Sequence, residues 1–236
     1  MTTHTIHHNP VRSDLPGTPG AAGASTRWAL AGLGAGLTGV VAIGASLAVS
    51  PVYDEKVHGD AEAILAEMDD FVPQLLTMHL AGMVSAVLMI VFAAGLHRRL
   101  RAALPADSTL PLIAFSGMFG TALVLVLGTG LDTEFLFAAS DPERVVPEAV
   151  AFYNHWIATI PWVWVLVGLA GIALFAASRT GAVTRWLGLV GLLGGGLTLL
   201  LGISPLQYMA GFTGPIGLVV VSLGFLVGDK AFRGRA

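Results

Sequence analysis

Six runs of about twenty uncharged, apolar residues constrain this chain more than anything else in it. They lie near Trp28–Val49, Leu75–Leu96, Leu110–Leu131, Trp156–Ala177, Trp186–Ile203 and Met209–Val227. No Asp, Glu, Lys or Arg falls inside any of them. Each is long enough to cross a bilayer, and each must be helical there, because hydrocarbon offers no partner to an open backbone amide. The sequence therefore predicts an all-α, polytopic transmembrane bundle of six helices, with the lipid bilayer as its first partner. Ser204-Pro205-Leu206-Gln207 reads as the tight turn that separates the last two spans.

Composition agrees with this. The chain is 55% hydrophobic and 11% charged, against about 25% charged residues in a soluble domain. It has no Cys, which excludes disulfides, thiolate metal sites, cysteine nucleophiles and thioester anchors. The net charge of -3 conceals a sorting of signs. If the N-terminus is cytoplasmic, ten of the twelve basic residues fall on the inner side, and Lys56 and Arg144 alone fall outside. By the positive-inside rule both chain ends are cytoplasmic. Twelve acids, from Asp54 to Glu148, then gather on the outer side. No basic stripe invites nucleic acid, and the predicted location is a bacterial cytoplasmic membrane.

Residues 1–26 are polar and interrupted by Pro10, Pro16, Pro19, Gly17, Gly20 and Gly23, and they read as a disordered cytoplasmic tail. His4, His7 and His8 within them have a solvated tail as their plainest reading and a metal tract as their sharper one. Residues 27–228 form the transmembrane domain, and 229–236 a short basic tail. The two outer loops each predict a surface helix: Ala61–Asp70 capped by Asp60, and a second begun by Asp141-Pro142 and Pro147. Phe135, Phe137, Tyr153, Trp156, Trp162 and Trp164 read as an interfacial aromatic belt. Two halves of three spans would run in opposite directions, as in inverted-repeat transporters, but no broken pair of helices is expected.

Helix faces give the candidate site. His79 shares a face with Gly82, Met83, Ala86, Ile90 and Ala93, and small residues mark where membrane helices pack closely. His79 should therefore point into the bundle, one turn below its outer boundary, with Leu80, Val84, Leu88 and Val91 opposite. Asp132 ends a line through Gly117, Thr121 and Gly128. One reading is an outer-leaflet pocket with catalytic candidates His79, Asp132, Glu134 and His155 and binding candidates Asn154, Gln207 and Tyr208. A carboxylate beside a histidine would make a general base; two histidines and a carboxylate would hold a metal, and two histidines a haem. The plainer reading is that His79 hydrogen-bonds a neighbouring helix and that Asp132 and Glu134 are solvated helix-end acids. No local metal motif such as H-E-x-x-H occurs, so no metal ligand is assigned and the cofactor stays open. The absence of charge within the spans argues against a proton-coupled pump or a voltage sensor.

The six spans, the acidic first loop, the histidine just inside the second span, L-H-R-R-L-R at 96–101 and G-I-S-P-L-Q-Y-M-A-G-F-T-G-P-I-G at 202–217 are similar to the uncharacterised small multi-pass membrane proteins abundant in high-GC Gram-positive bacteria. The resemblance implies no reaction and carries over no catalytic residue. Integral-membrane terpene cyclases are of similar size, but their catalysis relies on acids within the helical core. The function expected is a non-enzymatic accessory, sensory or neutral-solute-permeating bundle, with a hydrophobic or neutral small molecule as ligand. The alternative is an integral-membrane enzyme, or a metal or haem protein, acting on a lipid-soluble substrate at the outer leaflet.

Overall fold

The computed structural model describes residues 26–138 and 141–229. Among these residues there is no strand, and nine α-helices follow in order. They are α1 (Arg27–Leu47), α2 (Ala61–Met68), α3 (Val72–Arg101), α4 (Leu110–Ala138), α5 (Pro147–Thr159), α6 (Val167–Arg179), α7 (Arg185–Val190), α8 (Gly196–Ile203) and α9 (Ala210–Gly228). Five helical stretches of described residues are long and apolar enough to cross a membrane: Arg27–Leu47, Ala61–Arg101, Leu110–Thr133, Arg185–Ile203 and Gln207–Gly228. A further apolar helix, Val163–Arg179, is shorter. The protein is an all-helical membrane bundle. The tail with His4, His7, His8 and Arg12, and the basic residues Lys230, Arg233 and Arg235, lie outside the described residues.

The fourth apolar run departs from expectation. It is not one helix but α5, a 3-10 stretch over Ile160–Leu166, and α6. Pro161 supplies the cause, since a proline has no N–H to carry the α-helical ladder onward. The fifth run also carries an irregularity, a π turn at Gly191–Gly195 between α7 and α8. The expected lack of broken helices is thus corrected. The break also turns Trp164 inward. It is fully buried, and a Cβ at Gly39 of α1 or Gly214 of α9 would overlap its indole. Trp164 and the buried Tyr153 therefore leave the expected aromatic belt; the Phe137 and Trp162 side chains lie outside the described residues.

Packing otherwise follows the small residues. Helix α1 lies against α3 and α9, α3 against α4, and α4 against α6. Gly82, Ala86 and Ala93 of α3 are buried, while Leu80, Val84 and Val91 face outward. Between α6 and the π turn the backbones themselves meet, because a Cβ at Gly171 or Gly191 would strike the other's carbonyl oxygen or its neighbours. Lipid tails are as apolar as leucine, so such close approach, not hydrophobic exclusion, holds membrane helices together.

Alternating helix direction brings the ends of α3, α6 and α9 and the starts of α1, α4 and α7 to one end of the bundle, the basic end. There Arg99 is not the solvated loop cation that L-H-R-R-L-R suggests. It is 6% exposed, and Asp229, just past α9, is 5% exposed. Arg99 donates from Nε and Nη2 to the two oxygens of Asp229 at 2.7 and 2.9 Å. Nη2 also donates to the carbonyl of Ala182 at 3.0 Å, in the turn between α6 and α7. The charge is buried because a bidentate partner satisfies it. That turn is made by Gly181 at φ 79°, a conformation few side-chain-bearing residues adopt.

Breaking a buried pair leaves an uncompensated charge. Arg99→Ala and Asp229→Ala should each lower unfolding stability by about 3–5 kcal/mol, while the apolar double variant Arg99→Met/Asp229→Leu should recover most of the loss. Denaturant titration in detergent measures all three; equal losses for the singles and the apolar double would exclude the pair as the cause.

Candidate functional site

The opposite, acidic end collects the start of α3, the end of α4 and all of α2 and α5. Helix α2 begins where expected: Asp60 caps it by accepting from the Ala63 N–H at 3.0 Å, and its Ile64 and Met68 are buried. Asp141 pairs with Arg144 at 2.9 Å on the surface. Helix α5 then carries the expected binding residue Asn154 inward and the catalytic candidate His155 outward.

Asn154 is fully buried. Its amide oxygen accepts from the Val52 N–H at 2.6 Å and its Nδ2 donates to the Val49 carbonyl at 3.1 Å. Both bonds run to the segment that leaves α1, so Asn154 closes the backbone of that segment. Its hydrogen-bonding capacity is largely spent on the fold. Gln207 is similarly used, donating from Nε2 to the Gly202 carbonyl at 2.8 Å and so satisfying an orphan acceptor at the end of α8. Tyr208 is exposed. His155 is also exposed and lies edge-on to Tyr53, with ring centroids 5.6 Å apart. Burial and then the neighbouring Tyr208 push the Tyr53 hydroxyl above the ordinary tyrosine pKa.

His79 is half-buried and its Nδ1 lies 2.8 Å from the Thr129 carbonyl of α4. A carbonyl only accepts, so Nδ1 is the protonated nitrogen, and in the neutral ring Nε2 carries the lone pair. Thr129 packs closely here: a Cβ at Gly82 would overlap its methyl group. Its hydroxyl donates back along α4 and lies 3.0 Å from the Met83 sulfur. The plainer expectation for His79, a bond to a neighbouring helix, describes this geometry.

Asp132 stands one turn further along α4. The plainer expectation fails for it, because it is not solvated: its exposure is 0%. Helix α4 runs on to Ala138, so Asp132 falls within the apolar stretch Leu110–Thr133 instead of just beyond it. Neither carboxyl oxygen has a hydrogen-bond partner among the described residues. One turn later Phe135 stacks on Tyr153, with 5° between the ring planes. The buried Tyr153 hydroxyl and the buried Gln74 Oε1, in the first turn of α3, are likewise unpartnered. Buried polar atoms are nearly always satisfied; others without a partner among the described residues include Trp164 Nε1, Thr184 Oγ1 and Ser222 Oγ, and Asp132 is the one carboxyl group in the set. The Glu134 side chain lies outside the described residues.

The structure thus separates the expected pocket residues. His79 and Asp132 lie on adjoining turns of the α3–α4 contact without a bond between them, while Asn154 and Gln207 serve the backbone, and His155 and Tyr208 lie outside with Tyr53. Among the described residues no three His, Asp or Glu side chains come together as a metal-binding group. Thr129, Gln74 and Tyr153 were not anticipated; Gln74, the polar residue just before the second apolar run, was a usable signal. Comparison of the chain with protein-family models, curated proteins and solved structures finds no match, so the function rests on these residues alone.

Removing Asn154 strands a buried donor and a buried acceptor, whereas removing His79 strands only a helix carbonyl. Asn154→Ala should therefore cost about 2–4 kcal/mol and His79→Ala about 1 kcal/mol, read as the shift in denaturant midpoint. The reverse order would show that His79, not Asn154, holds the acidic end together.

Proposed function

We propose that the chain is a six-span bundle of a bacterial cytoplasmic membrane, with both ends cytoplasmic and the acidic end outside. In this reading the α5–α6 pair with its 3-10 junction counts as one crossing, which restores the even number that the basic residues require. Its pattern remains that of the small multi-pass proteins of high-GC Gram-positive bacteria.

Its activity, we infer, is non-enzymatic: it is a sensory or accessory protein that binds a small neutral solute at its outer end. The observation that carries this is Asp132, a fully buried carboxyl group that no described protein group satisfies. An ionisable group within a membrane is costly and marks a functional site. A carboxyl group supplies acceptors, so its natural complement is a mostly apolar solute with at least one N–H or O–H donor. General-base catalysis by a carboxylate–histidine pair is less well supported, because the Nδ1 that the carboxylate would orient is bonded to the Thr129 carbonyl. Free permeation is also less well supported: the mid-bundle cavity beside Thr198 and Thr213 measures about 20 Å³, room for one water.

A binding group held without a protein partner should cost stability, and this gives the test. Asp132→Leu should melt a few degrees above wild type, since an apolar isostere removes a desolvation penalty of about 1–3 kcal/mol. The same variant should lose the extra protection that 1-butanol, which carries a donor, gives over its donor-free isomer methyl propyl ether. A variant that melts well below wild type would show that Asp132 is structurally paired. Retained discrimination between the two isomers would place the binding elsewhere.

A further inference from the structure

At the basic end an open cleft of about 760 Å³ lies where α6 turns into α7, lined by Arg179, Thr180, Thr184, Arg185, Phe175 and Leu189 among others. We propose that this cleft binds a phosphate group, presented by an anionic phospholipid of the surrounding leaflet.

Its charge comes first. Arg179 ends α6 and Arg185 begins α7, so two guanidinium groups flank one short turn. Neither pairs with a carboxylate among the described residues, and no acid lines the cleft. Two planar, permanently charged forks suit the bidentate recognition of phosphate oxygens. Thr184 also lines the cleft.

The cleft is also held open in a fixed form. Gly181 takes the left-handed conformation that sets the turn, Val183 is buried beneath it, and the buried Arg99 donates to the Ala182 carbonyl from the bundle side. A preformed turn spares the ordering cost of ligand binding. The arginines thus need little rearrangement.

The apolar half of the lining argues for a lipid as the source. Leu189 and, one turn on, Leu193 are 53% and 63% exposed, continuing from the cleft down the outer surface of the α7 stretch. Trp186 is exposed beside Arg185, as an indole is at the headgroup level. A ligand with a phosphate above and hydrocarbon below matches this gradient, and basic pockets between membrane helices recognise such headgroups.

The test uses the purified full chain in detergent with dioleoylphosphatidylglycerol, dioleoylphosphatidylcholine or inorganic phosphate added. Phosphatidylglycerol should raise the Tm by about 2–4 °C more than phosphatidylcholine. The difference should vanish in Arg179→Gln/Arg185→Gln and persist in the charge-matched Arg98→Gln/Arg101→Gln. If the first pair does not fold, Arg179→Lys/Arg185→Lys keeps the charge, loses the fork, and should weaken the shift. A rise of equal size with inorganic phosphate would keep the phosphate site and overturn the lipid as its source. An undiminished shift in the Arg179/Arg185 variants, an equal loss in both glutamine pairs, or no shift with any addition would overturn the site.

Discussion

The basic end of the molecule depends on one ion pair. Arg99 and Asp229 are separated by 130 residues, yet their two bonds and the third to Ala182 tie the end of α3, the end of α9 and the α6–α7 turn to one guanidinium. In lipid, helices gain little from burying apolar surface against one another, so directional contacts have a larger share in fixing their register. A charge in this position is tolerable only with its fork filled. The turn that carries the proposed phosphate cleft is anchored by the same arginine, which links the architecture of that end to what it can bind.

At the acidic end the equivalent anchor is neutral. Asn154 bonds a backbone donor and a backbone acceptor beyond α1 and so fastens α5 to the first loop. His79 bonds across from α3 to α4 through the Thr129 carbonyl. Against these satisfied groups Asp132 stands apart, since it is equally buried and no described neighbour completes it. The contrast gives the site its assignment. Asn154 and His79, which hold this end, have their partners, and Asp132 is the buried carboxyl group left over, the one proposed to meet a solute.

Most of the helical layout was legible because hydrophobic length and uncharged runs are forced by the solvent. The cap at Asp60, the hairpin after Ser204 and the outward Leu80, Val84 and Val91 follow from local spacing in the same way. What local spacing could not supply was partnership at a distance. Within L-H-R-R-L-R nothing distinguishes Arg99 from Arg98 until Asp229 is placed opposite it. Asp132 looked like a helix-end acid because the apolar run stops at Leu131, although the helix continues to Ala138. Pro161 was visible, but the 3-10 stretch Ile160–Leu166 around it, and hence the inward turn of Trp164, depends on glycines at 39 and 214 that make room for the indole.

The central claim is that a sorted pair of ends, one basic and one acidic, brackets an uncharged helical bundle that crosses the membrane with its acidic end outside. Because the chain contains no Cys, single cysteines can be placed at will and read with a membrane-impermeant maleimide on intact cells. A cysteine at Glu62 should label directly, and one at Arg98 only after the membrane is opened. Labelling of Arg98→Cys but not Glu62→Cys in intact cells would contradict the account, and an outer site at Asp132 would fall with it.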